Sequence, residues 1–474
     1  MRDLILKTDP MDHQYKSIQF AVDDPDGCSM QWSDIGTGKS LAALYTAAMW
    51  KCKAVLIVCP PSVIRSWKEQ ISKHTNLSYV TITQYDGGRS LDLYQQDADV
   101  YLVNYDSLDV LFTKYVETNT GRRTREIVGD FGQLPFDCMI VDECHWFGSH
   151  KAMWTQIGYV LARQMKYVLM LTGTPIRTGL ENLWSQFWVL DGGKTLGKSY
   201  MSYLKKYFSP YQITVYGGRK VTKWHERKES KEKVLKRISK KVIRFDREQC
   251  FDLPPLLTQI REVNLSVEQR KMIADIVAGL KIKLKKGELN PSSVGNLSTK
   301  LRQISGGFVI GSKGATRLGK NPKLDALWDC LQETSGKCII FHSFVEEGRI
   351  IEDFLMKKKV GYASLRGEIT DKDDQVDRFK TDPDCIVLVA HPKSGGEGQN
   401  FQMANVIINY SNAMTTAAVR MQAIGRVHRF GQTESCIVID IIAKASADEA
   451  IYTSLMDDVD MANSVLTWIK KYRV

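Results

Sequence analysis

The stretch Ser33-Asp34-Ile35-Gly36-Thr37-Gly38-Lys39-Ser40 precedes an apolar pattern of helical period over 41–50 and an apolar strand pattern over 53–59. Glycines at 36 and 38 allow a tight backbone turn whose N–H groups point inward. Lys39 and Ser40 then open the helix, and the positive end of a helix attracts an anion. This order of loop and helix predicts a site for a polyphosphate.

One position of the loop departs from the full G-x-x-x-x-G-K-[ST] pattern, because Ser33 stands where the first glycine is expected. A glycine-containing loop that only caps a helix therefore stays open as an alternative. The other motifs of the chain have to distinguish the two.

Composition places the chain among globular proteins, with 474 residues, 43% hydrophobic and 25% charged, which is enough for about two to four domains. It has no apolar run long enough to span a bilayer, and residues 1–10 are not an apolar signal core, so we expect neither membrane insertion nor export. Ten scattered cysteines without a C-x-x-C pair predict a reduced, cytoplasmic setting with no zinc site or disulfide framework.

Two series of continuous Val/Ile/Leu-rich runs are separated by helical patterns, which is typical of parallel strands buried on both faces. The predicted strands are 54–59, 100–103, 138–141 and 167–171, then 338–341, 386–390, 406–409 and 437–442. We therefore predict an α/β protein with two parallel-sheet lobes, 1–252 and 253–474. A basic, helix-prone region, about 181–250, should protrude from the first lobe.

The net charge is +11 and the pI is near 9.0, which favours a polyanionic partner. Between 219 and 244 the chain has twelve Lys or Arg against three Glu, and Lys281, Lys283, Lys285 and Lys286 form a second cluster. A solvated helix face would explain either cluster equally well.

Two acidic residues follow the third predicted strand, in Ile140-Val141-Asp142-Glu143-Cys144-His145. A carboxylate that emerges beside a phosphate-binding loop can hold Mg²⁺, and its neighbour can orient and deprotonate water. The next strand ends in the hydroxyl-bearing turn Leu171-Thr172-Gly173-Thr174-Pro175. Because α/β sheets bind ligands at the carboxyl ends of their strands, we expect the loop, the acids and this turn to lie together.

Near the C-terminus, Gln422-Ala423-Ile424-Gly425-Arg426-Val427-His428-Arg429-Phe430-Gly431-Gln432 contains two arginines three positions apart. On a helix they would share one face, so both could reach a γ-phosphate as arginine fingers. An ordinary arginine pair on a helix surface is the alternative. Upstream of the loop, the two-way amide of Gln14 can hold an adenine edge.

In this order the motifs closely resemble those of superfamily two helicases, and within them the Swi/Snf-type double-stranded DNA translocases, whose members often lack the first loop glycine. The resemblance covers nearly the whole chain, and Glu397 departs from it, since the family usually has an apolar residue there. The matching segments are His13-Gln14, 33–40, Cys59-Pro60-Pro61-Ser62 with Trp67, Asp142-Glu143-Cys144-His145, 171–175, Ile339-Ile340-Phe341-His342-Ser343, Leu365-Arg366-Gly367, Ser394-Gly395-Gly396-Glu397-Gly398-Gln399-Asn400 and 422–432.

The resemblance implies two RecA-like lobes that bind and hydrolyse ATP with Mg²⁺. Lys39 would contact the β and γ phosphates. Ser40 and Asp142 would hold Mg²⁺, and Glu143 would activate water. The residues expected to contact the nucleotide are Gln14, Asp34, Ile35, Gly36, Thr37, Gly38, Lys39, Ser40 and Gly398.

The resemblance also assigns roles outside this loop. Gln14 would read adenine, Gln422 would sense the γ-phosphate, and Arg426 and Arg429 would be the fingers. The basic 219–244 region corresponds to the helical protrusions of the family. The residues expected to contact DNA are Pro60, Ser62, Ser343, Arg366, Lys393 and Ser394, and on the protrusion Lys236, Arg237 and Lys240.

The implied function is that of a DNA-dependent ATPase that translocates on double-stranded DNA and remodels branched DNA in replication and recombination-dependent repair, by fork reversal and branch migration of Holliday junctions. This expectation rests on a resemblance to small phage and bacterial proteins and to annealing or fork-reversing helicases. Mostly phosphate-backbone contacts to double-stranded and branched DNA are expected. We expect a monomer in the cytoplasm of a bacterium or an infected host, associated with the nucleoid when on DNA.

Two other functions stay open. A translocase that strips proteins from duplex DNA would show no preference for junctions. A non-hydrolysing DNA-binding scaffold would keep only a relic of the ATP site, which the set Lys39, Asp142, Glu143, Arg426 and Arg429 disfavours. An RNA helicase is disfavoured by the Gly-Arg-x-His-Arg-x-Gly-Gln form of the last motif.

Overall fold

The chain divides into two compact units, Met1–Phe251 and Asp252–Val474. The fold is taken from a computed structural model, which describes residues 5–34, 36–82, 97–117, 123–127, 134–173, 176, 179–214, 220–285, 291–312, 314–392, 400–412 and 417–456. Within these ranges, none of the helices combines the length and apolarity that crossing a membrane requires.

The first unit alternates helices and strands. Its described helices are α1 (Asp12–Val22), α2 (Lys39–Met49), α3 (Ile64–His74), α4 (Tyr105–Phe112), α5 (Met153–Gln164), α6 (Leu183–Asp191), α7 (Tyr200–Tyr207), α8 (Ser230–Ile238) and α9 (Arg247–Cys250). Its described strands are β1 (Cys28–Gln31), β2 (Val55–Cys59), β3 (Tyr79–Ile82), β4 (Val100–Asn104), β5 (Thr113–Glu117), β6 (Arg123–Ile127), β7 (Cys138–Asp142), β8 (Tyr167–Leu171), β9 (Phe208–Thr214), β10 (Lys220–Glu226) and β11 (Val242–Ile243).

A seven-stranded sheet forms the centre of this unit, in the order β11-β1-β8-β7-β2-β4-β3, and all neighbouring strands are parallel. The side chains of β2 alternate between two hydrophobic cores, with Leu56 and Val58 in one and Val55 and Ile57 in the other. Burying each such side chain stabilises the unit by about 1.5–3 kcal/mol. This two-sided burial explains why the strand is a continuous apolar run.

Two antiparallel hairpins, β5–β6 and β9–β10, lie outside this sheet. The second falls in the region predicted to be helix-prone, so the helical description of that region was incomplete. In the described part of this hairpin, Phe208 and Trp224 pack on the core, whereas Tyr211 and Lys223 are exposed.

The second unit has its own set of helices and strands. Its described helices are α10 (Val267–Lys285), α11 (Pro291–Ser305), α12 (Pro322–Glu333), α13 (Val345–Lys357), α14 (Lys372–Thr381), α15 (Ala417–Ile424) and α16 (Ala447–Met456). Its described strands are β12 (Leu256–Val263), β13 (Phe308–Gly311), β14 (Gly314–Arg317), β15 (Lys337–Phe341), β16 (Gly361–Leu365), β17 (Cys385–Ala390), β18 (Ala404–Asn409) and β19 (Cys436–Ala443).

A six-stranded sheet of order β12-β19-β18-β15-β17-β16 organises the second unit, and it too is parallel throughout. As in the first unit, successive residues of a central strand enter different cores, with Ile339 and Phe341 in one and Cys338 and Ile340 in the other. The predicted fold class, α/β with two parallel-sheet lobes, is confirmed.

Candidate nucleotide site

The carboxyl edge of the first sheet collects the sequence motifs. The loop of 33–40 follows β1, Pro60 and Ser62 follow β2, Asp142 ends β7, and Thr172 follows β8. All of these strands are parallel, so their ends share one edge.

Positive backbone φ angles shape the phosphate-binding loop, 88° at Gly36 and 76° at Gly38. Gly38 is the N-cap of α2 and provides no side-chain cap. A Cβ atom at this position would lie 2.0 Å from Nε2 of Gln14, so both backbone conformation and packing require glycine there. The loop therefore delivers the chain directly into the N-terminus of a helix, the arrangement that binds phosphate.

Lys39 folds back over the loop. Its ammonium group donates to the carbonyl oxygens of Ser33, at 2.6 Å, and Asp34, at 2.9 Å. The hydroxyl of Thr37 donates to the Asp34 oxygen as well, at 2.8 Å. The ammonium group of Lys39 is thus held against the loop at which a phosphate is expected to bind.

The side chain of Gln14 is hydrogen-bonded to the phosphate-binding loop. Its amide nitrogen donates to the Gly38 carbonyl at 3.1 Å, and its amide oxygen accepts the Met11 N–H at 2.8 Å. The neighbouring His13 bonds the Thr37 carbonyl through Nε2, at 2.8 Å. In this structure both ends of the Gln14 amide bond backbone groups, and its adenine-reading role stays a prediction.

The acidic pair lies on a strained turn. Glu143 has a φ of 54°, in the left-handed region that a side-chain-bearing residue adopts only at a cost of about 1–3 kcal/mol. The buried hydroxyl of Tyr105 donates to the carbonyl oxygens of Asp142 and Glu143, at 2.8 and 3.3 Å. Tyr105 is itself fixed because Asn104 caps α4 by accepting the Ser107 N–H at 2.7 Å.

Different partners hold the two carboxylates. Asp142 accepts the indole N–H of Trp67 on Oδ2, at 2.9 Å, and the Glu143 N–H on Oδ1, at 3.0 Å. Glu143 accepts the hydroxyl of Thr172 on Oε2, at 3.3 Å, with Nδ1 of His145 at 3.1 Å from the same oxygen. Side chains from α3, from the turn after β7 and from the end of β8 therefore fix the pair.

These surroundings shift the two pKa values in opposite directions. Burial and then the charge of Glu143 raise the pKa of Asp142, although Lys39 and the Trp67 hydrogen bond act against them. Burial also acts to raise the pKa of Glu143, but the hydrogen bond and charge of His145, with Lys39, outweigh it and lower that pKa. Glu143 is thus kept ionised, as a proton acceptor must be.

The donor set fits Mg²⁺. Ser40 in the first turn of α2 and Asp142 offer hard oxygen ligands, which this ion prefers, with water completing its shell. Each Asp142 carboxylate oxygen accepts one hydrogen bond and keeps a lone pair for a metal. A cation bound there would offset the burial and the Glu143 charge that raise the pKa of Asp142.

Tyr105 and Trp67 are positioning residues whose roles the sequence interpretation missed. Trp67 was recognised only as part of a motif, and the long-range bond to Asp142 cannot be seen in the sequence. Tyr105 carried a usable signal, because it follows a predicted buried strand at the same sheet edge as Asp142.

The arginine pair of the second unit is not arranged as predicted. Helix α15 ends at Ile424, and turns follow, so Arg426 and Arg429 do not lie on one helix face. The N–H groups of Arg426 and Val427 bond the carbonyls three residues back, of Ala423 at 3.3 Å and Ile424 at 3.0 Å, which is turn geometry. Arg426 is buried, and its guanidinium donates to the Pro392 carbonyl at 3.2 Å, whereas Arg429 is partly exposed.

The same segment is anchored by its other polar residues. Nε2 of His428 lies 2.8 Å from the Pro254 carbonyl oxygen, and the Gln432 amide donates to the Ala404 carbonyl at 2.8 Å. Gln422, the predicted γ-phosphate sensor, is partly buried on α15. His428 and Gln432 thus fix the turns that present the arginines.

The residues predicted to contact DNA differ in accessibility. Ser62 is exposed, whereas Pro60 is buried. The Ser343 hydroxyl accepts a hydrogen bond from Arg302 at 2.6 Å, and Arg366 is paired with Glu352 at 2.9 Å. Several residues named in the predictions lie outside the described part of the chain, and these are Ile35, Thr174, Pro175, Lys286, Lys393, Ser394, Gly395, Gly396, Glu397, Gly398 and Gln399.

Helix α8 presents the basic residues of the protrusion. Val234 and Ile238 face the core, and Lys236 and Lys240 are exposed on or just beyond the helix. Arg237 is exposed too, but its Nε donates to the Thr195 carbonyl, so part of its guanidinium is already engaged.

This geometry defines a class of protein, namely two parallel-sheet α/β units of which the first has a phosphate-binding loop beside an acidic pair. Known families narrow the class. The SNF2-related domain matches residues 13–306, more than half of the chain, and the helicase conserved C-terminal domain matches residues 322–431. The chain therefore belongs to the SNF2-related family, which confirms the resemblance to Swi/Snf-type proteins of superfamily two.

Three curated relatives are similar to most of the chain. The CHD3-type chromatin-remodeling factor CHR7 of Arabidopsis thaliana is 24% identical over 442 residues, which covers 88% of this chain and 34% of that protein. DNA repair and recombination protein RDH54 of Saccharomyces cerevisiae is 25% identical over 426 residues, covering 84% and 43%. DNA annealing helicase and endonuclease ZRANB3 of Bos taurus is 23% identical over 475 residues, covering 97% and 40%. The chain thus spans less than half the length of each.

Proposed function

We propose that the chain is a DNA-dependent ATPase that uses ATP hydrolysis to translocate on double-stranded DNA. The observation that supports this most directly is the meeting of Lys39, Asp142 and Glu143 at one sheet edge in a chain of the SNF2-related family. A relic ATP site would have no need for the strained, hydrogen-bonded turn that aims the acidic pair.

The residues of the first unit divide the chemistry. Lys39 binds the β and γ phosphates of ATP by leaving its two loop carbonyls. Glu143 accepts the proton of the attacking water, and its lowered pKa keeps it ionised for that role. Mg²⁺, held by Ser40 and Asp142, would neutralise charge on the phosphates. Thr172 and His145 keep the Glu143 carboxylate oriented.

The second unit contributes cations in this proposal. Arg426 and Arg429 stabilise charge on the transferred phosphoryl group, and Gln422 senses the γ-phosphate. An arginine finger accelerates phosphoryl transfer about 10³- to 10⁵-fold. Since Arg426 donates to the Pro392 carbonyl, it would exchange that bond for a phosphate.

Duplex DNA is proposed to bind mainly through its phosphates. The exposed Lys236 and Lys240 of the α8 region, with Arg237, provide contacts that do not depend on base sequence. The further residues of this proposed track are Pro60, Ser62, Ser343, Arg366, Lys393 and Ser394.

We propose remodelling of branched DNA, by fork reversal and branch migration, as the biological task, performed by a cytoplasmic monomer. The names of two relatives, which refer to DNA repair and recombination and to DNA annealing, support this. The name of a third, a chromatin-remodeling factor, favours the displacement of bound proteins as the second candidate.

Phosphate release measured on linear duplex, single strand, fork and four-way junction tests the proposal. We expect stimulation by duplex and the greatest stimulation, with branch-migrated product, on forks and junctions. Equal stimulation by linear duplex and junctions, without a strand-exchanged product, would favour protein displacement. ATP hydrolysis that ignores DNA would contradict both candidates.

A further inference from the structure

The chain that leaves α8 runs directly beside the entrance of the phosphate-binding loop. Residues 241–247, which we call the connecting segment, include β11 and extend its ladder beyond the strand. Backbone N–H groups of Met30, Trp32 and Asp34 donate to the carbonyls of residues 241, 243 and 245, at 2.8, 2.8 and 3.1 Å. Alternate residues of the connecting segment thus bond the strand that leads into the loop.

Side chains extend this ladder to the loop itself. The Ser33 hydroxyl accepts the Phe245 N–H at 3.2 Å, and an Asp34 carboxylate oxygen accepts the Arg247 N–H at 3.1 Å. Ser33 and Asp34 are also the residues whose carbonyls hold the ammonium of Lys39. The connecting segment therefore fixes the two residues on which the phosphate-binding lysine rests.

The other end of the connecting segment is pinned as well. The ammonium of Lys241 donates to Asp24 at 2.7 and 2.8 Å and to Asp26 at 2.8 Å, and Lys194 pairs with Asp26 at 2.6 Å. Hydrogen bonds from Lys194 and Lys241 lower the pKa of Asp26 to about 2. This ion-pair cluster ties the chain just beyond α8 to the start of β1, with two residues, Ser239 and Lys240, between α8 and Lys241.

We infer that the connecting segment is a positioning element that couples polyanion binding at α8 to the phosphate-binding loop. The inference rests on the proposed function, since it assigns a route by which DNA changes the affinity for ATP. A shift of α8 moves a hydrogen-bonded ladder that ends on Ser33 and Asp34, and hence the resting place of Lys39. By linkage, ATP must change the affinity for DNA by the same factor.

Ser33, which stands where the loop pattern has glycine, has a role in the proposed coupling. Glycine at position 33 would have no hydroxyl to accept the Phe245 N–H, so the serine adds a contact that the pattern residue cannot make. Ser33 is only 3% exposed, which makes that bond inaccessible to competing water. The variant Ser33→Gly, which restores the pattern, should therefore weaken the coupling.

The experiment compares Ser33→Gly and Ser33→Ala with wild type and with Ser29→Ala. Ser29 lies on β1, is equally buried, and its hydroxyl has no hydrogen-bond partner among the described residues. The readouts are the ratio of the Kd of a non-hydrolysable ATP analogue without and with saturating duplex DNA and the ratio of the DNA Kd without and with that analogue. Thermal unfolding checks that each variant is folded.

We expect both ratios to fall about 2- to 10-fold towards one in the two Ser33 variants, the range that the loss of one net hydrogen bond corresponds to. Ser29→Ala should keep the wild-type ratios. Unchanged ratios in folded Ser33 variants, or an equal loss in Ser29→Ala, would overturn the coupling. A wild-type protein that shows no effect of DNA on ATP turnover would instead contradict the proposed function.

Discussion

Asp142 and Glu143 are neighbours in the chain with different chemical surroundings. Asp142 is held by an indole N–H in a buried position, which leaves its charge poorly compensated. Glu143 accepts from Thr172 and lies against His145, which favours its ionised form. The two environments thus suit the separate roles that we propose, a metal ligand at Asp142 and a proton acceptor at Glu143.

Removing the indole donor should shift the pH dependence of the reaction. The Trp67 hydrogen bond lowers the pKa of Asp142, so Trp67→Phe should raise it by about one to two units, since a hydrogen bond to a charged group is worth about 1.5–3 kcal/mol. Turnover that needs ionised Asp142 is lost as pH falls through this pKa. The acid limb of kcat/KM for ATP should therefore move to higher pH.

Trp154→Phe is the matched control for this measurement. Its indole nitrogen is buried and has no hydrogen-bond partner among the described residues, and its ring packs against the core on the opposite face of the same sheet from Trp67. A profile that moves equally in both variants would mean that loss of packing, rather than of the hydrogen bond, is responsible.

Replacement of the proposed fingers should separate turnover from binding. Arg429→Ala and Arg426→Ala are expected to lower DNA-stimulated kcat by about 10³- to 10⁵-fold and to leave the affinity for an ATP analogue largely intact. Because Arg426 is only 5% exposed and donates to Pro392, its variant needs a thermal unfolding control. Wild-type turnover in both variants would refute the assignment.

At this scale the sequence was informative about residues that follow apolar strands. Asp142 and Glu143 stand where a predicted strand ends, and Lys39 opens the helix after the loop, so all three were expected at one sheet edge. Tyr105 and Trp67 act through contacts that link distant parts of the chain, and no local pattern records such contacts. Ser33 departs from the glycine of the loop pattern, and its hydroxyl accepts a hydrogen bond from the Phe245 N–H.

Helix α8 is amphipathic, so the residues that stabilise the fold differ from the residues that we propose to bind DNA. Its apolar side chains, Val234 and Ile238, are fully buried, while its basic residues face outward. Lys236 on the helix and Lys240 just beyond its end lie in the DNA-binding region that we propose. Their replacement should therefore affect binding and leave the fold intact.

Charge reversal on α8 should change the salt dependence of DNA binding. The double variant Lys236→Glu and Lys240→Glu is expected to weaken binding to all duplex sequences alike and to reduce the slope of log affinity against log salt by about 0.9 for each lost phosphate contact. Lys73→Glu, an exposed lysine in the last turn of α3, is the control. An unchanged slope in the double variant would reject the contact.

The packing of α15 depends on a buried ion pair. Arg420 donates two hydrogen bonds to Asp440 on β19, at 2.8 and 2.7 Å, and the carboxylate is fully buried. Arg420→Met would leave that charge with the Asn409 amide and should lower the free energy of unfolding of the second unit by about 3–5 kcal/mol. Thermal or denaturant unfolding measures the loss.

An exposed pair provides the comparison. Lys444 and Glu262 are paired at 2.6 Å with side chains about half exposed, so Lys444→Met should cost less than about 1 kcal/mol. Similar losses in the two variants would show that burial does not set the value of the Arg420 pair.

Strands made of a continuous apolar run were predictable, whereas strands with polar or exposed residues, and very short strands, were not. β2, β7 and β17 are near-continuous apolar runs, whereas β12 is a sheet edge with Leu257 and Ile260 exposed. β11 has two residues, too few for any periodic signal, although it carries the ladder to the loop. The prediction that Arg426 and Arg429 share one helix face was wrong because it extended the helical spacing beyond Ile424, where α15 ends.

In the whole molecule, the net charge of +11 favours a polyanionic partner. Together with the SNF2-related domain and the helicase C-terminal domain, this charge supports the interpretation of the protein as an ATP-driven motor that acts on DNA. Its central claim is that the site of Lys39, Asp142 and Glu143 hydrolyses ATP in response to DNA. Every other proposal, including the coupling through residues 241–247, depends on that reaction.

Phosphate release by wild type and Glu143→Gln, each with and without duplex DNA, tests this claim most directly. Duplex should accelerate the wild-type reaction, and Glu143→Gln should bind ATP with near wild-type affinity while losing about 10²- to 10⁴-fold in kcat, the usual contribution of a general base. Turnover of Glu143→Gln at the wild-type rate, or wild-type turnover indifferent to DNA, would contradict it.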